Sequence, residues 1–230
     1  MQMVILCGGL ATRLGDITND TPKSMIKIKG KPFLEYQIEN LKKHSVLDIV
    51  LCVGHLSDQI KDYFKGGKEF GVDISYSYDG NKPLGPIGAL KNAEKLLHNN
   101  FFIMYGDSYV FVDFNKIHKY FLSKDKLGLM VVYQNFNRYD KSNLVVENGF
   151  VTSYSDDSIL DKTYIDYGVS LFNKKVLDFI TKDRFFSTKD LYPKLILQNE
   201  LLAYELKKRF YQIGTPDSLM EFKEFVNKNF

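Results

Sequence analysis

Apolar residues fall in short blocks along this chain, and the spacing inside each block limits what it can form. MVILC (3–7), LDIVLCVG (47–54) and FFIMYG (101–106) are continuous and short. Such runs fit strands buried on both faces. Between them the period changes. PFLEYQIENLKKH (32–44) has apolar residues at 33, 34, 38 and 41, a helical spacing with Pro32 at the favoured first position. LSDQIKDYF (56–64) predicts a helix capped by Ser57. VDISYSY (72–78) alternates like a strand, and GPIGALKNAEKLL (85–97) opens on glycines and turns helical. The first half therefore predicts β-loop-α-β-α-β-α-β, a mostly parallel sheet with helices on both faces.

The second half is richer in strands. LGLMVVYQ (127–134), NLVVEN (143–148), FVTSYS (150–155) and YIDYGVSLF (164–172) are strand-like, and Asn148-Gly149 is a strong hairpin signal. Helices are predicted at 174–181 and 188–198, followed by LLAYEL (201–206) and RFYQIG (209–214). In TPDSLMEFKEFVNK (215–228), Thr215 caps a helix, Pro216 sits in its first turn, and 219, 222, 225 and 226 form its apolar stripe. There is no repeat, low-complexity tract or linker. The expected fold is α/β: a Rossmann-like three-layer sandwich with a mostly parallel central sheet and a smaller β-rich part. It is expected as one domain over residues 1–230.

Composition narrows the function classes. A chain of 230 residues suits one α/β domain with a sizeable core. Hydrophobic residues at 44% and charged residues at 26% are ordinary for a soluble protein. A net charge of +3 is too weak to argue for a nucleic-acid surface or a membrane face. Cys7 and Cys52 each end an apolar run without zinc-binding spacing, and are expected as reduced, buried, small hydrophobes. MVILC is too short for a signal sequence, and no run approaches the roughly 18 apolar residues of a membrane span. A cytoplasmic protein is expected, with neither a nucleic acid nor a membrane as partner. The four histidines form no cluster, and His55 is expected at the surface.

The candidate chemistry begins in LCGGLATRLGDITNDTPKSM (6–25), which has no clear period. Loops of this length inside a domain are usually functional or disordered. In open parallel sheets ligands bind beyond the carboxyl ends of the strands. Gly8-Gly9, Gly54-His55 and Gly106-Asp107 follow three predicted strands on that edge. Glycine lets backbone N–H groups approach a phosphate, and Arg13 and Lys23 supply two cations in one loop. Asp107 can hold Mg²⁺ between phosphate oxygens. Neither G-x-x-x-x-G-K-[ST] nor G-x-G-x-x-G is present.

Six motifs spread over nearly the whole chain then fall into a familiar order. They are Gly8-Gly9-Leu10-Ala11-Thr12-Arg13-Leu14 with Pro22-Lys23-Ser24-Met25; Pro32-Phe33-Leu34-Glu35-Tyr36; Pro83-Leu84-Gly85-x-x-Gly88-Ala89-Leu90; Tyr105-Gly106-Asp107-Ser108; Ile165-Asp166-Tyr167-Gly168; and Phe210-Tyr211-x-Ile213-Gly214-Thr215-Pro216. Together they resemble the sugar-1-phosphate nucleotidyltransferases, and look nearest to short bacterial heptose- or mannose-1-phosphate guanylyltransferases.

The resemblance implies transfer of a nucleoside monophosphate from an NTP to a sugar 1-phosphate, with release of pyrophosphate and with Mg²⁺ as cofactor. GTP with heptose or mannose 1-phosphate is the expected pair, and a homo-oligomer is possible. Residues 1–112 would form the nucleotide half, and 113–230 the sugar half with the C-terminal helix. Arg13 would hold the β and γ phosphates, and Lys23 would bridge the α-phosphate and the incoming sugar phosphate. Leu6, Gly8, Gly9, Thr12, Gly85 and Gly88 would surround the nucleotide. Asp166, Tyr167 and Gly168 would line the sugar side, where Lys162 is the nearest candidate for a family lysine. Asp107 and Gln212 would hold the metal. Guanine offers two donors on its Watson–Crick edge, so a carboxylate such as Asp79 can select it.

Three departures stand out. Gln212 occupies a position where the family usually has an acid, and an amide brings a carbonyl but no charge. The metal would then rely on Asp107, phosphates and water, or Asp217 would compensate, or the chain would be a catalytically weak regulatory paralogue that binds nucleotides. Ala11 replaces a common loop glycine. Pro86-Ile87 replaces the usual threonine and small residue.

Overall fold

The computed structural model describes residues 1–9, 14–15, 20–80, 82–155, 163–182 and 184–230. The strands are β1 (Gln2–Leu6), β2 (Lys27–Ile28), β3 (Lys31–Pro32), β4 (Asp48–Val53), β5 (Asp73–Tyr78), β6 (Asn100–Tyr105), β7 (Ser108–Tyr109), β8 (Gly128–Gln134), β9 (Leu144–Glu147), β10 (Phe150–Tyr154), β11 (Tyr164–Asn173), β12 (Leu201–Leu206) and β13 (Tyr211–Gln212). The helices are α1 (Phe33–Lys43), α2 (Ser57–Phe64), α3 (Gly85–Asn92), α4 (Phe114–Leu122), α5 (Thr188–Leu197) and α6 (Pro216–Asn229).

Among the described residues, nine strands form one sheet in the order β5-β4-β1-β6-β11-β8-β12-β10-β9. The first four are parallel, as the alternation of strands and helices predicts. The expectation of a mostly parallel sheet fails beyond them. β11 runs antiparallel to both β6 and β8, while β12 is parallel to β8. The pairing of β9 with β10 has a local cause. β9 and β10 join through the two residues Asn148-Gly149, and a short link of this kind permits only antiparallel pairing. The β-rich part is therefore the far half of the same mixed sheet. β9 also pairs with β11 at Tyr164 and Leu144, so the far strands close on themselves.

Alternate residues of the central strands enter two cores. Met3, Ile5, Leu51, Met104 and Val131 pack with α1, α2 and α4. Val4, Val50, Ile103, Met130 and Phe172 pack with α3 and α5. This period of two explains why continuous apolar runs became central strands covered on both faces. A third cluster joins α6 to α1: Phe222 is fully buried, with its ring 4.9 Å from Phe33 and 5.2 Å from Tyr109.

Local signals fared unevenly. Thr215 caps α6 by accepting from Ser218 N–H at 3.2 Å. Ser57 does not cap α2. Leu56 takes the cap position in a left-handed conformation (φ 57°), and Ser57 is the first helical residue. The predicted helix at 174–181 is a 3₁₀ segment, Lys174–Phe179, and the helix predicted from 85 ends at Asn92. Asn148 and Gly149 turn the hairpin with φ of 51° and 80°, as their sequence predicts. Nothing crowds the Gly149 Cβ position, so its backbone angle is the whole constraint. Gly149→Ala is expected to lower unfolding stability by about 1–2 kcal/mol in urea titration, with the activity of the folded protein kept. An unchanged midpoint would remove the turn from the account.

Candidate functional site

β6 and β8 both run opposite to β11, and so point the same way as β1 and β4. Their carboxyl ends therefore open on one edge, and β11 begins there. A cavity of about 790 Å³ lies on that edge. Its walls include Leu6, Gly8, Gly9, Lys23, Asp79, Gly85, Asp107, Asp166, Gly168 and Gln212, all expected site residues from distant parts of the chain.

Lys23 sits on a 3₁₀ turn, Lys23–Met25, whose Ser24 and Met25 are buried. Its Nζ donates to Asp107 Oδ2 at 2.9 Å. The turn carrying Asp107 is held from behind by α1. The buried Gln37 donates through Nε2 to Tyr105 O at 2.9 Å and Ser108 O at 2.7 Å, and Asn40 Nδ2 donates to Val110 O at 2.9 Å. The sequence reading missed these two amides. On a helix of ordinary amphipathic period they read as solvent-facing polar positions.

Asp79 closes the wall near the first glycine loop. A Cβ on Gly8 would lie 3.0 Å from Asp79 Oδ2, so glycine is what lets the loop pass the carboxylate. Asp79 Oδ1 is buried without a hydrogen-bond partner among the described residues. Burial raises its pKa to about 6, against a smaller opposing pull from the Leu84 N–H.

Across the cavity, β11 shifts register between Asp166 and Ser170. Gly168 occupies that bulge at φ 83°, and a Cβ there would stand 2.8 Å from Ser108 Oγ. The bulge presents Asp166 to the cavity. Its carboxylate accepts from Gly168 N–H at 2.8 Å and from Tyr105 hydroxyl at 3.3 Å. Burial raises its pKa to about 6 as well.

Two expected residues lie elsewhere. Tyr167 points into the core on the other side of β11. Its hydroxyl donates to Lys208 O at 2.9 Å, and its ring packs on Phe210. The alternation of strand side chains puts it opposite Asp166 and Gly168. Gly88 packs against the chain rather than facing a ligand: its Cβ would meet Arg184 O at 2.8 Å. The N–H groups of Ile87 and Gly88 both donate to Phe186 O, so they are not offered to a phosphate or base. Thr12, Arg13 and Lys162 lie outside the described residues.

The cavity also recruits residues that sequence reasoning passed over, notably Asp140, Lys141 and Asn143. They follow the carboxyl end of β8, a strand end on this edge that was not considered. Gln212 pairs with Ser108 through β13 and β7, and its Nε2 donates to Asp140 Oδ2 at 3.1 Å. Cys7 and Cys52 are buried free thiols as expected, and burial pushes the Cys7 pKa up to about 12. His55 is exposed and is not among the residues lining this cavity. No described helix is long and apolar enough to cross a membrane.

A family model described as nucleotidyl transferase matches residues 2–229. The chain is 34% identical over 224 residues to a D-glycero-alpha-D-manno-heptose 1-phosphate guanylyltransferase of Campylobacter jejuni, covering 96% of this chain and 98% of the relative. It is 30% identical to the protein of the same name from Aneurinibacillus thermoaerophilus, covering 94% of each. HddC from Yersinia pseudotuberculosis, solved in complex with GMP-PN, superposes with a TM-score of 0.80 at 28% identity, covering 98% of this chain and 99% of that one.

Proposed function

Because the chain belongs to the nucleotidyl transferase family, we propose that it transfers a nucleoside monophosphate from an NTP to a sugar 1-phosphate, with GTP and a heptose or mannose 1-phosphate as substrates. The observation that carries this reading is the Lys23–Asp107 pair at 2.9 Å, set in one cavity between the glycine loop and Asp166. The Campylobacter relative, a heptose 1-phosphate guanylyltransferase by name, supports the choice of heptose and guanine.

The reaction is an in-line displacement. A phosphate oxygen of the sugar 1-phosphate forms a bond to the α-phosphorus. The bond from that phosphorus to the bridging oxygen breaks, and its electron pair leaves with pyrophosphate. No covalent enzyme intermediate is needed, so positioning and charge stabilisation are the protein's contribution. From its place beside Asp107, Lys23 donates to the α-phosphate and the incoming phosphate, where negative charge gathers. Arg13 binds the β and γ phosphates. Residues 1–112 serve the nucleotide and 113–230 the sugar, with Asp166 accepting from sugar hydroxyls.

The residues present fit a Mg²⁺ site of modest strength. Asp107 already attracts a cation, the Lys23 ammonium, and the Gln212 side chain lies on the same cavity wall. Among the described residues no group of three or more His, Cys, Asp or Glu side chains could hold a metal by itself. One carboxylate and one carbonyl, completed by substrate phosphates and water, is a set that Mg²⁺ accepts. When bound, the ion would offset charge on the phosphate oxygens.

The decisive assay is pyrophosphate release with Mg²⁺, using five NTPs against a panel of hexose, heptose and amino-sugar 1-phosphates. Turnover with GTP and a heptose or mannose 1-phosphate is expected. Silence across the panel with nucleotide binding intact would make the chain a binding protein.

Asp79 gives a sharper test of the base. Guanine N1–H and its amino group would donate to the Asp79 carboxylate, which lines the cavity. Its raised pKa means that ionisation, and with it this contact, is lost as pH falls through about 6. KM for GTP is expected to rise as pH drops from 7 to 5, and Asp79→Ala should raise KM at pH 7 and abolish that rise. Unimpaired turnover of Asp79→Ala with GTP would remove Asp79 from base selection. For stability the sign is opposite. A carboxyl whose folded pKa exceeds the unfolded value binds more protons when folded, so its contribution to stability falls as pH rises between about 4 and 6.

A further inference from the structure

The Gln212 side chain is held by a residue distant in sequence. Its Nε2 donates to Asp140 Oδ2 at 3.1 Å, across a separation of 72 residues. Asp140 belongs to the loop between β8 and β9, and that loop is cross-braced. Asn135 and Ser142 are buried, at 1% and 2% exposure. Asn135 Nδ2 donates to Asp140 O at 2.6 Å and to Ser142 Oγ at 3.1 Å, and Ser142 N–H donates to Asn137 Oδ1 at 2.7 Å. The N–H groups of Asn135 and Phe136 both donate to Thr163 O, which ties the loop to the chain just before β11. The Asp140 carboxylate is fixed in turn, because its Oδ1 accepts from Lys141 N–H at 2.7 Å.

A primary amide has a donor end and an acceptor end, whereas a carboxylate only accepts. Asp140 therefore captures the NH₂ end of Gln212. The reversed amide would set two oxygens against each other. The carbonyl oxygen is the end left for the cavity that both residues line.

We infer that Asp140 is a positioning residue that orients the Gln212 amide so that its carbonyl oxygen faces the divalent cation of the nucleotide complex. This rests on the reading of Gln212 as a cation ligand.

The test uses the full chain, with two readouts: the Mg²⁺ dependence of turnover, and Mn²⁺ binding measured by calorimetry with a non-hydrolysable GTP analogue. Asp140→Asn is expected to raise the half-saturating Mg²⁺ concentration by about 10-fold, while turnover at saturating Mg²⁺ is largely kept, and Mn²⁺ binding weakens by the same factor. Gln212→Ala should weaken both in the same way. The double variant should be no worse than Gln212→Ala alone. The main-chain carbonyl that braces the loop survives in every variant, so thermal unfolding should be unchanged.

An unchanged metal dependence in Asp140→Asn, or a lower melting temperature with unchanged metal binding, overturns the inference. If Gln212→Ala still weakens metal binding in that case, the reading of Gln212 stands and only Asp140 is dismissed. If Gln212→Ala also has no effect, both fall. Fully additive losses in the double variant would overturn the route through Gln212.

Discussion

Lys23→Ala is expected to lower turnover by about 10²–10³-fold, with kcat and kcat/KM falling together. The size follows from preorganisation. Met25 and Ile26, just beyond Lys23, are anchored in the core, so the ammonium is delivered at a fixed place beside Asp107. An ammonium held there needs little reorganisation as charge builds on the phosphates. The pair is partly exposed, at 18% and 22% for the two side chains, so its loss should hardly touch folding. Lys23→Arg should restore little, because a planar guanidinium cannot replace a compact point charge in the same gap. Steady-state pyrophosphate release with GTP and the preferred sugar phosphate measures this. A loss below about ten-fold would place the principal cation elsewhere.

Phe222→Ala carries the largest expected effect on stability, about 3–5 kcal/mol. The ring is fully buried where α6, α1, β7 and β13 meet, in contact with the rings of Phe33, Tyr36, Tyr109, Tyr211 and Phe225. Little around it can collapse into the space left, because its neighbours are rigid aromatic rings packed on one another. The denaturant midpoint should fall at unchanged m-value. A loss below about 1 kcal/mol would mean that α6 adds little to the fold. Tyr109 and Tyr211 each adjoin a residue on the cavity wall, Ser108 and Gln212, so this cluster also sets the distance between the two.

Much of the fold was legible because it rests on local period. β1, β4 and β6 are continuous apolar runs since both faces are covered, α1 and α6 show clean stripes, and α6 carries its entry signals, whereas Pro32 stands at the cap position before α1 rather than at its first residue. The direction of β11 was not legible. Strand periodicity is the same up or down, and direction is decided by what connects the strands. Ser57 failed as a cap because the chain enters α2 through Leu56 in a left-handed turn, which no side-chain pattern announces.

Within the site, Lys23, Asp79, Asp107 and Asp166 were readable as charged residues at strand ends or within motifs. Tyr167 was misassigned because a contiguous motif hides the alternation of a strand, where only every second side chain shares a face. Asp140 was missed for a different reason. Its part depends on Gln212 lying across from it, and a contact over 72 residues leaves no trace in local spacing.

The extra pairing of β9 with β11 bears on how the protein behaves in a crowded solution. An open sheet has two edges, each a row of unsatisfied backbone groups on which a second chain can grow. Here the far end folds back into a ring of β11, β8, β12, β10 and β9. Among the described residues, that leaves β5 as the open end of the large sheet. Its borders are already guarded: Asn92 Nδ2 donates to Tyr78 O at 2.8 Å, Tyr76 spends its hydroxyl on Lys65 O at 2.7 Å, and Asp73 stands exposed at the first position. A sheet of nine strands thus offers misassembly one narrow address instead of two.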